Sequence, residues 1–206
     1  MKKLAVIFYG ISYLKNYKHR DRFRYNIDYN DSYLNYQTYI FNYFKMKGYT
    51  CNIYYVTNNI EDKEKLEECY KPIKCNYIDI DDTNYHYCKN IKLVNAIDLC
   101  LKENIIYDHC LITRFDLLFN DTFDNLNYEK INLISILEKP TYICDNFYFM
   151  PYSLLSKFYD VCLKNIKISH HHIQSDIENV SSIHYLKNEY VIIQHLSFYK
   201  IFHYTK

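Results

Sequence analysis

The residues best able to do chemistry in this chain stand just after four apolar segments. Lys15, Lys18, Arg20, Arg22 and Arg24 follow the run at 4–9. Thr57, Asn58 and Asn59 follow the run at 51–56. Asp79, Asp81 and Asp82 close the segment 74–80, and Arg114 and Asp116 follow the segment 107–113. Bases mixed with carboxylates suit a phosphate ligand, held by side chains or through a divalent cation. Mg2+ or Mn2+ takes one or two protein carboxylates together with phosphate oxygens. Glycine content narrows the choice. With two Gly in 206 residues there is neither a Gly-x-Gly-x-x-Gly nor a P-loop. A phosphate cradle made of backbone amides is therefore disfavoured, and with it classical dehydrogenases and P-loop kinases.

Each group also has a plainer reading. Asp116 can cap a turn or pair locally with Arg114. Asp79 and Asp81 share a strand face and can be a solvated strand end. The basic stretch from Lys15 to Arg24 suits either a lid over a diphosphate or an ordinary solvated loop. Thr57 and Asn58 suit a base or ribose contact or the capping of a loop. Neighbours in the His170-His171-His172 tract point in different directions, so at most two share an ion. One of them joining Asp116 on a metal competes with a polar surface tract.

The elements that must position these residues alternate strand and helix. The run at 4–9, Leu-Ala-Val-Ile-Phe-Tyr, has the length and continuity of a buried parallel strand. A basic loop over 10–30 is expected next. Then comes a helix opening at Asp31, with Tyr33, Tyr36, Ile40, Tyr43 and Phe44 on one face and Gly48 as its C-terminal stop. Strands at 51–56, 74–80 and 107–113 alternate with helices at 62–70 and 88–103. The second of these helices carries Ile91, Val94, Ile97 and Leu101 on its apolar face. This order predicts an α/β fold: a mostly parallel sheet with helices on both faces and ligands at the carboxyl ends of its strands. Beyond Asp116 the pattern loosens into strands at 131–136, 141–150, 191–193 and 196–204 and helices at 152–164 and 171–180, which predicts a mixed sheet.

Residues 107–119, Tyr-Asp-His-Cys-Leu-Ile-Thr-Arg-Phe-Asp-Leu-Leu-Phe, resemble the strand and acidic turn of GT-A glycosyltransferases. More closely, they resemble glycosyltransferase-like proteins of large DNA viruses and bacterial surface-glycan clusters. The helix at 31–44, the strand end Val-Thr-Asn-Asn at 56–59 and the segment Asp-Asn-Phe-Tyr-Phe-Met-Pro at 145–151 extend the resemblance over about three-quarters of the chain. The resemblance implies a GT-A-like (Rossmann-like) fold. It implies transfer of a sugar from a UDP- or GDP-sugar to a glycan or glycoprotein acceptor, with Mn2+ or Mg2+ on the diphosphate. Residues 1–120 would hold the donor and 121–206 the acceptor, within one domain. The implied donor site comprises Arg114, Asp116, Arg22, Arg24, Thr57, Asn58 and Asp81, with Asp116 on the metal. Asp145 would be the base that deprotonates the acceptor hydroxyl. The family's Asp-x-Asp is altered, because Arg114 stands where the first Asp belongs. Arg114 can itself bind phosphate. A GT-A-shaped protein without turnover, serving in glycan binding or assembly, is the alternative, and a metal-dependent phosphoesterase or nuclease a weaker one. As a rim carboxylate, Asp116 is expected to matter little for the core.

Composition sets the outer bounds. Net charge is +1, which gives no general attraction to nucleic acid or to a membrane surface. No secretory signal or apolar run of spanning length is legible, so a cytoplasmic protein with reduced thiols is expected. The eight Cys form no Cys-x-x-Cys pair. Abundant Lys, Asn, Ile and Tyr reflect A/T-rich codons, so clusters of these residues mean less than usual.

Overall fold

A computed structural model describes residues 1–206 except 20–22, 80–84, 121, 136–142, 169–172, 187–190 and 194–206. Its centre is a seven-stranded sheet. The strands are β1 (Lys2–Tyr9), β4 (Tyr49–Thr57), β5 (Lys74–Tyr77), β6 (His109–Arg114), β8 (Ile131–Ser135), β9 (Ile143–Pro151) and β10 (Ile183–Leu186). Their order across the sheet is β10-β8-β9-β6-β1-β4-β5. Only β9 runs against its neighbours β6 and β8; β1, β4, β5 and β6 are parallel to one another, and β10 is parallel to β8. The mixed, mostly parallel α/β sheet is thus as the sequence predicts.

The period-two geometry of strands sorts side chains onto two faces. On β1, Leu4, Val6 and Phe8 enter one core, and Ala5, Ile7 and Tyr9 the other. The first core is covered by α1 (Tyr29–Tyr36), a π-helical stretch (Gln37–Asn42), α2 (Tyr43–Met46) and α3 (Lys63–Tyr70). It is aromatic: Phe8 stacks on Tyr36 and Phe115 at 5.2 Å, and Tyr70 meets Phe115 edge-on at 5.2 Å. The second core is covered by α4 (Tyr85–Leu101), α5 (Leu155–Lys164) and α6 (Gln174–Glu178).

Several elements depart from the sequence reading. The expected loop over 10–30 holds an antiparallel hairpin, β2 (Tyr13–His19) with β3 (Phe23–Asp28). Phe23, Tyr25 and Ile27 alternate with Arg24, Asn26 and Asp28, a strand pattern that the many charges obscure. The following helix is capped by Asp28, not Asp31: its carboxylate accepts from the Asn30 amide at 2.9 Å. β5 ends at Tyr77, short of residue 80. Two short strands were not expected: β10, and β7 (Leu117–Phe119), which pairs with β11 (Val191–Ile193). Gly48 does end α2, at φ +84°, its amide donating to the Lys45 carbonyl. The strand expected at 196–204 and the histidine tract lie outside the described residues. Three thiols, Cys100, Cys110 and Cys162, are buried, while Cys51, Cys69, Cys75 and Cys88 are half-buried.

Candidate functional site

The chain leaves β1 toward β4 and β5 on one side, then returns to place β6 on β1's other side. A parallel sheet opens a crevice at such a reversal, outside the carboxyl ends of the two strands. Gly10 follows β1 there, Arg114 ends β6, and Asp116 lies in the turn after it. Gly10 sits at φ +99°, a conformation that L side chains rarely adopt, and the Arg114 side chain lies over it. A Cβ on Gly10 would touch Arg114 Cγ at 3.8 Å and Nε at 3.9 Å.

Strand alternation makes the turn. Arg114 continues the face of Cys110 and Ile112, and Phe115 plunges into the opposite aromatic core. Asp116 then returns to the side of Arg114. Arg114 Nε donates to Asp116 Oδ1 at 2.7 Å, and Nη2 donates to Oδ2. Arg114 Nη1 donates to Asn146 Oδ1 at 2.9 Å, across the antiparallel β6–β9 pairing. Asn146 is brought there by register, since Thr113 faces Phe147 and the Thr113 hydroxyl donates to the Asn146 carbonyl at 2.9 Å. From the other face of the sheet, the buried Tyr36 hydroxyl donates to the Arg114 carbonyl. Burial raises that hydroxyl's pKa well above its usual range, so it stays a donor. The group is dry for a rim: Arg114 is 8% exposed and Asp116 1%. The expectation that Asp116 is a rim carboxylate of little structural weight is therefore corrected: both its oxygens hold a buried guanidinium.

The fit of a divalent cation can be judged from the donors. Asp116 offers one carboxylate whose two oxygens are engaged by Arg114. Among the described residues no group of three His, Cys, Asp or Glu side chains could hold a metal ion. This arrangement does not fit a resident Mn2+ or Mg2+.

The other expected site residues divide into four sets. Thr57 and Asn58 reach the same rim but are buried, and they pin the chain leaving β1. The Ser12 amide donates to Thr57 Oγ1 at 2.9 Å and Asn58 Oδ1 at 3.1 Å, and Asn58 Nδ2 donates to the Tyr13 carbonyl at 2.9 Å. They cap the loop. Asp79 lies beyond the end of β5, exposed, and accepts from Asn59 Nδ2 at 2.8 Å. Arg24 stands on β3 and Asp145 on β9, the latter beside Asn146 where the β8–β9 register shifts. Arg22 and Asp81 lie outside the described residues.

Two site features escaped the sequence reading. Asn146 is one Asn in an Asn-rich chain, and only the β6–β9 register gives it meaning. Lys89 and Lys92 are buried, at 8% and 2% exposure, on α4. Their signal was present: two lysines amid the apolar residues of one helix. That helix turns Leu93, Ala96, Ile97 and Cys100 deepest into the core, leaving Ile91 and Leu101 half-buried.

The sheet order is that of a GT-A-like (Rossmann-like) α/β fold. Two solved structures share this fold at a TM-score above 0.5. A nucleoside-diphosphate-sugar pyrophosphorylase from Vibrio cholerae RC9 is 10% identical over 96% of this chain and 99% of its own, with a TM-score of 0.52. A protein provisionally assigned as a nucleotide-diphospho-sugar transferase, from Desulfovibrio desulfuricans G20, is 10% identical over 91% of this chain and 80% of its own, TM-score 0.51. A glycosyltransferase involved in glycosylation of the major capsid of PBCV-1 aligns at 8% identity over 92% of this chain and 82% of its own, TM-score 0.46. No family model matches the sequence, and no curated protein matches it by sequence search. Among the described residues no helix is long and apolar enough to cross a membrane.

Proposed function

We propose that the chain transfers a sugar from a nucleoside-diphosphate sugar to a glycan or glycoprotein acceptor. The observation that carries this reading is the Arg114–Asp116–Asn146 group fixed over Gly10 at the strand-order reversal. A guanidinium held by a carboxylate and a side-chain amide oxygen has one orientation, and such preorganisation is what stabilises charge developing on a leaving group. The fold, shared with the two nucleotide-sugar proteins above a TM-score of 0.5, supports the substrate class.

In this reading the diphosphate lies over the β1–β6 crevice and Arg114 directs a fixed positive end toward it. The acceptor enters from the β9 side. Asp145, next to Asn146 on β9, is the carboxylate we assign as base. It takes the proton from the acceptor hydroxyl as the hydroxyl oxygen forms the new bond to the anomeric carbon, and the bond from that carbon to the diphosphate breaks. The buried Arg114–Asp116 pair equally suits a protein that binds donor or glycan without turnover. Incubation with UDP- and GDP-sugars, reading release of the nucleoside diphosphate with and without a glycan acceptor, separates the two. Release supports transfer; binding without release supports the binding role. Neither binding nor release of any nucleotide sugar removes the proposal.

A further inference from the structure

The Asn146 amide has one end engaged and one end open. An Arg guanidinium has donors and no acceptor, so the Asn146 atom that meets Arg114 Nη1 at 2.9 Å must be the amide oxygen. That fixes how the amide faces: Nδ2, on the same carbon, points away from the guanidinium. Among the described residues Nδ2 donates to no acceptor. The other bond to this residue, from the Thr113 hydroxyl at 2.9 Å, goes to its backbone carbonyl. Asn146 is only 3% exposed. The sealed polar atoms without a partner include Ser12 Oγ and Asn90 Oδ1 but not Asn146 Nδ2, so the small opening left to Asn146 reaches this nitrogen.

An irregularity in β9 aims this amide. Toward β6 the pairing is regular, with Phe147 opposite Thr113. Toward β8 the register moves from Leu133 opposite Tyr148 to Ile134 opposite Cys144. Residues 145–147 fall between and have no partner on β8, so β9 bulges beside the end of β6. Such bulges re-aim side chains next to binding sites. Phe147 enters the aromatic core, and Asn146 therefore turns to the opposite face, where Arg114 lies over Gly10. With its carbonyl held by Thr113 and its amide oxygen held by Arg114, Asn146 presents a donor whose direction is set before any ligand arrives.

We propose that Asn146 Nδ2 donates to a hydroxyl oxygen of the sugar being transferred and so selects which sugar the site takes. This rests on the donor reading above. There the diphosphate lies over β1 and β6 and the acceptor enters from β9, which leaves the sugar at the β6–β9 boundary that Asn146 spans. A neutral N–H suits a hydroxyl, which has lone pairs and no net charge, while the anionic phosphate oxygens fall to Arg114. A site built to hydrogen-bond a substrate hydroxyl rejects the analogue that lacks it, because the site's own polar group is then left unpaired.

Calorimetric titration of the full chain with UDP, GDP, UDP-glucose, UDP-galactose and GDP-mannose tests it, read as the ratio of nucleotide-sugar to nucleoside-diphosphate affinity. For the best-bound sugar, Asn146→Asp and Asn146→Ala each lower that ratio by about threefold to tenfold, the worth of one neutral hydrogen bond. Asn146→Asp keeps an oxygen for Arg114 and loses the N–H. Its added charge repels the nucleoside diphosphate, the more anionic ligand, at least as strongly as the nucleotide sugar, so charge alone does not lower the ratio. For one deoxy analogue of that sugar the three proteins give the same ratio within about twofold, and the wild type binds that analogue more weakly than the parent. Ratios unchanged in both variants overturn the contact while leaving a nucleotide-sugar protein in place. A loss in Asn146→Ala that is absent from Asn146→Asp overturns it too, since Asn146 then acts only through Arg114. Equal wild-type affinity for the sugar and all its deoxy forms overturns it even where a variant fails to fold. Binding of the nucleoside diphosphates but of none of their sugars overturns the contact. No binding of any probe to the wild type removes the donor reading and the contact with it.

Discussion

Replacing Asp116 with Ala should destabilise the fold much more than an ordinary rim substitution does. Asp116 is 1% exposed and Arg114 8%, and the two share a bidentate pair. Deleting the carboxylate leaves a guanidinium that cannot deprotonate, still buried, with the Asn146 oxygen at 2.9 Å as its remaining partner from this group. Breaking a buried ion pair from one side typically costs about 3–5 kcal/mol. For a chain of this size each kcal/mol moves the melting midpoint by roughly 2–4 °C, so a fall on the order of 10 °C is expected. The double replacement Arg114→Met/Asp116→Leu removes the stranded charge and should recover most of that loss. Urea unfolding of the wild type, both single variants and the double variant gives the cycle, provided the m-values agree. A midpoint for Asp116→Ala within about 2 °C of wild type would refute the reasoning, since it would mean that water reaches the pair and screens it.

Three further outcomes follow from particular residues. Gly10→Ala should cost about 1–2 kcal/mol from its φ of +99° alone, and it should weaken donor binding by pressing on Arg114; a neutral effect on both would detach Gly10 from the site. Asp145→Asn should lower kcat by about a hundredfold or more with donor affinity nearly intact, as expected of a base that touches only the acceptor; near-normal turnover would remove it from the mechanism. Burial lowers the pKa of His109 below its usual 6.5, opposed by the hydrogen bond to the Tyr128 carbonyl at 2.9 Å. The unfolded chain then binds more protons below pH 6.5, so this part of the stability is complete above 6.5 and is lost as the pH falls through the lowered value. Urea midpoints at pH 5 and 7.5 should differ less in His109→Phe than in the wild type; an equal difference would exclude His109 as the cause.

The fold was legible where burial alone dictates a strand. Residues 4–9 and 51–56 are apolar enough to be central, and they became β1 and β4 side by side in parallel. Legibility failed where charge masked alternation, as in the hairpin of β2 and β3, and where a strand is too short to show a period, as in β7 and β10. At the site, local spacing announced Arg114 and Asp116, since i and i+2 on a strand share a face. It could not decide whether Asp116 turns to a metal or to Arg114. That depends on Asn146 and Tyr36, which arrive from positions 32 and 78 residues away. Thr57 and Asn58 were correctly placed at the rim, but their bonds to Ser12 and Tyr13 come from the path of the chain after β1, which no motif encodes. The burial of Lys89 and Lys92 was readable in part, as two lysines amid the apolar residues of one helix, but the lysine-rich composition weakened that signal until the helix was docked.

The central claim is that the β1–β6 crevice, with Arg114 at its edge, binds a nucleoside-diphosphate sugar. The most direct measurement is the melting temperature of the wild type and Arg114→Ala against UDP, GDP and their sugars at millimolar concentration. A ligand that binds only the folded state raises the midpoint in proportion to RT ln(1 + [L]/Kd). At least one nucleotide or nucleotide sugar should raise the wild-type midpoint by several degrees, and the same ligand should give Arg114→Ala, measured from its own lower baseline, little or no rise. No shift of the wild type by any of them, or an equal shift in both proteins, would contradict it.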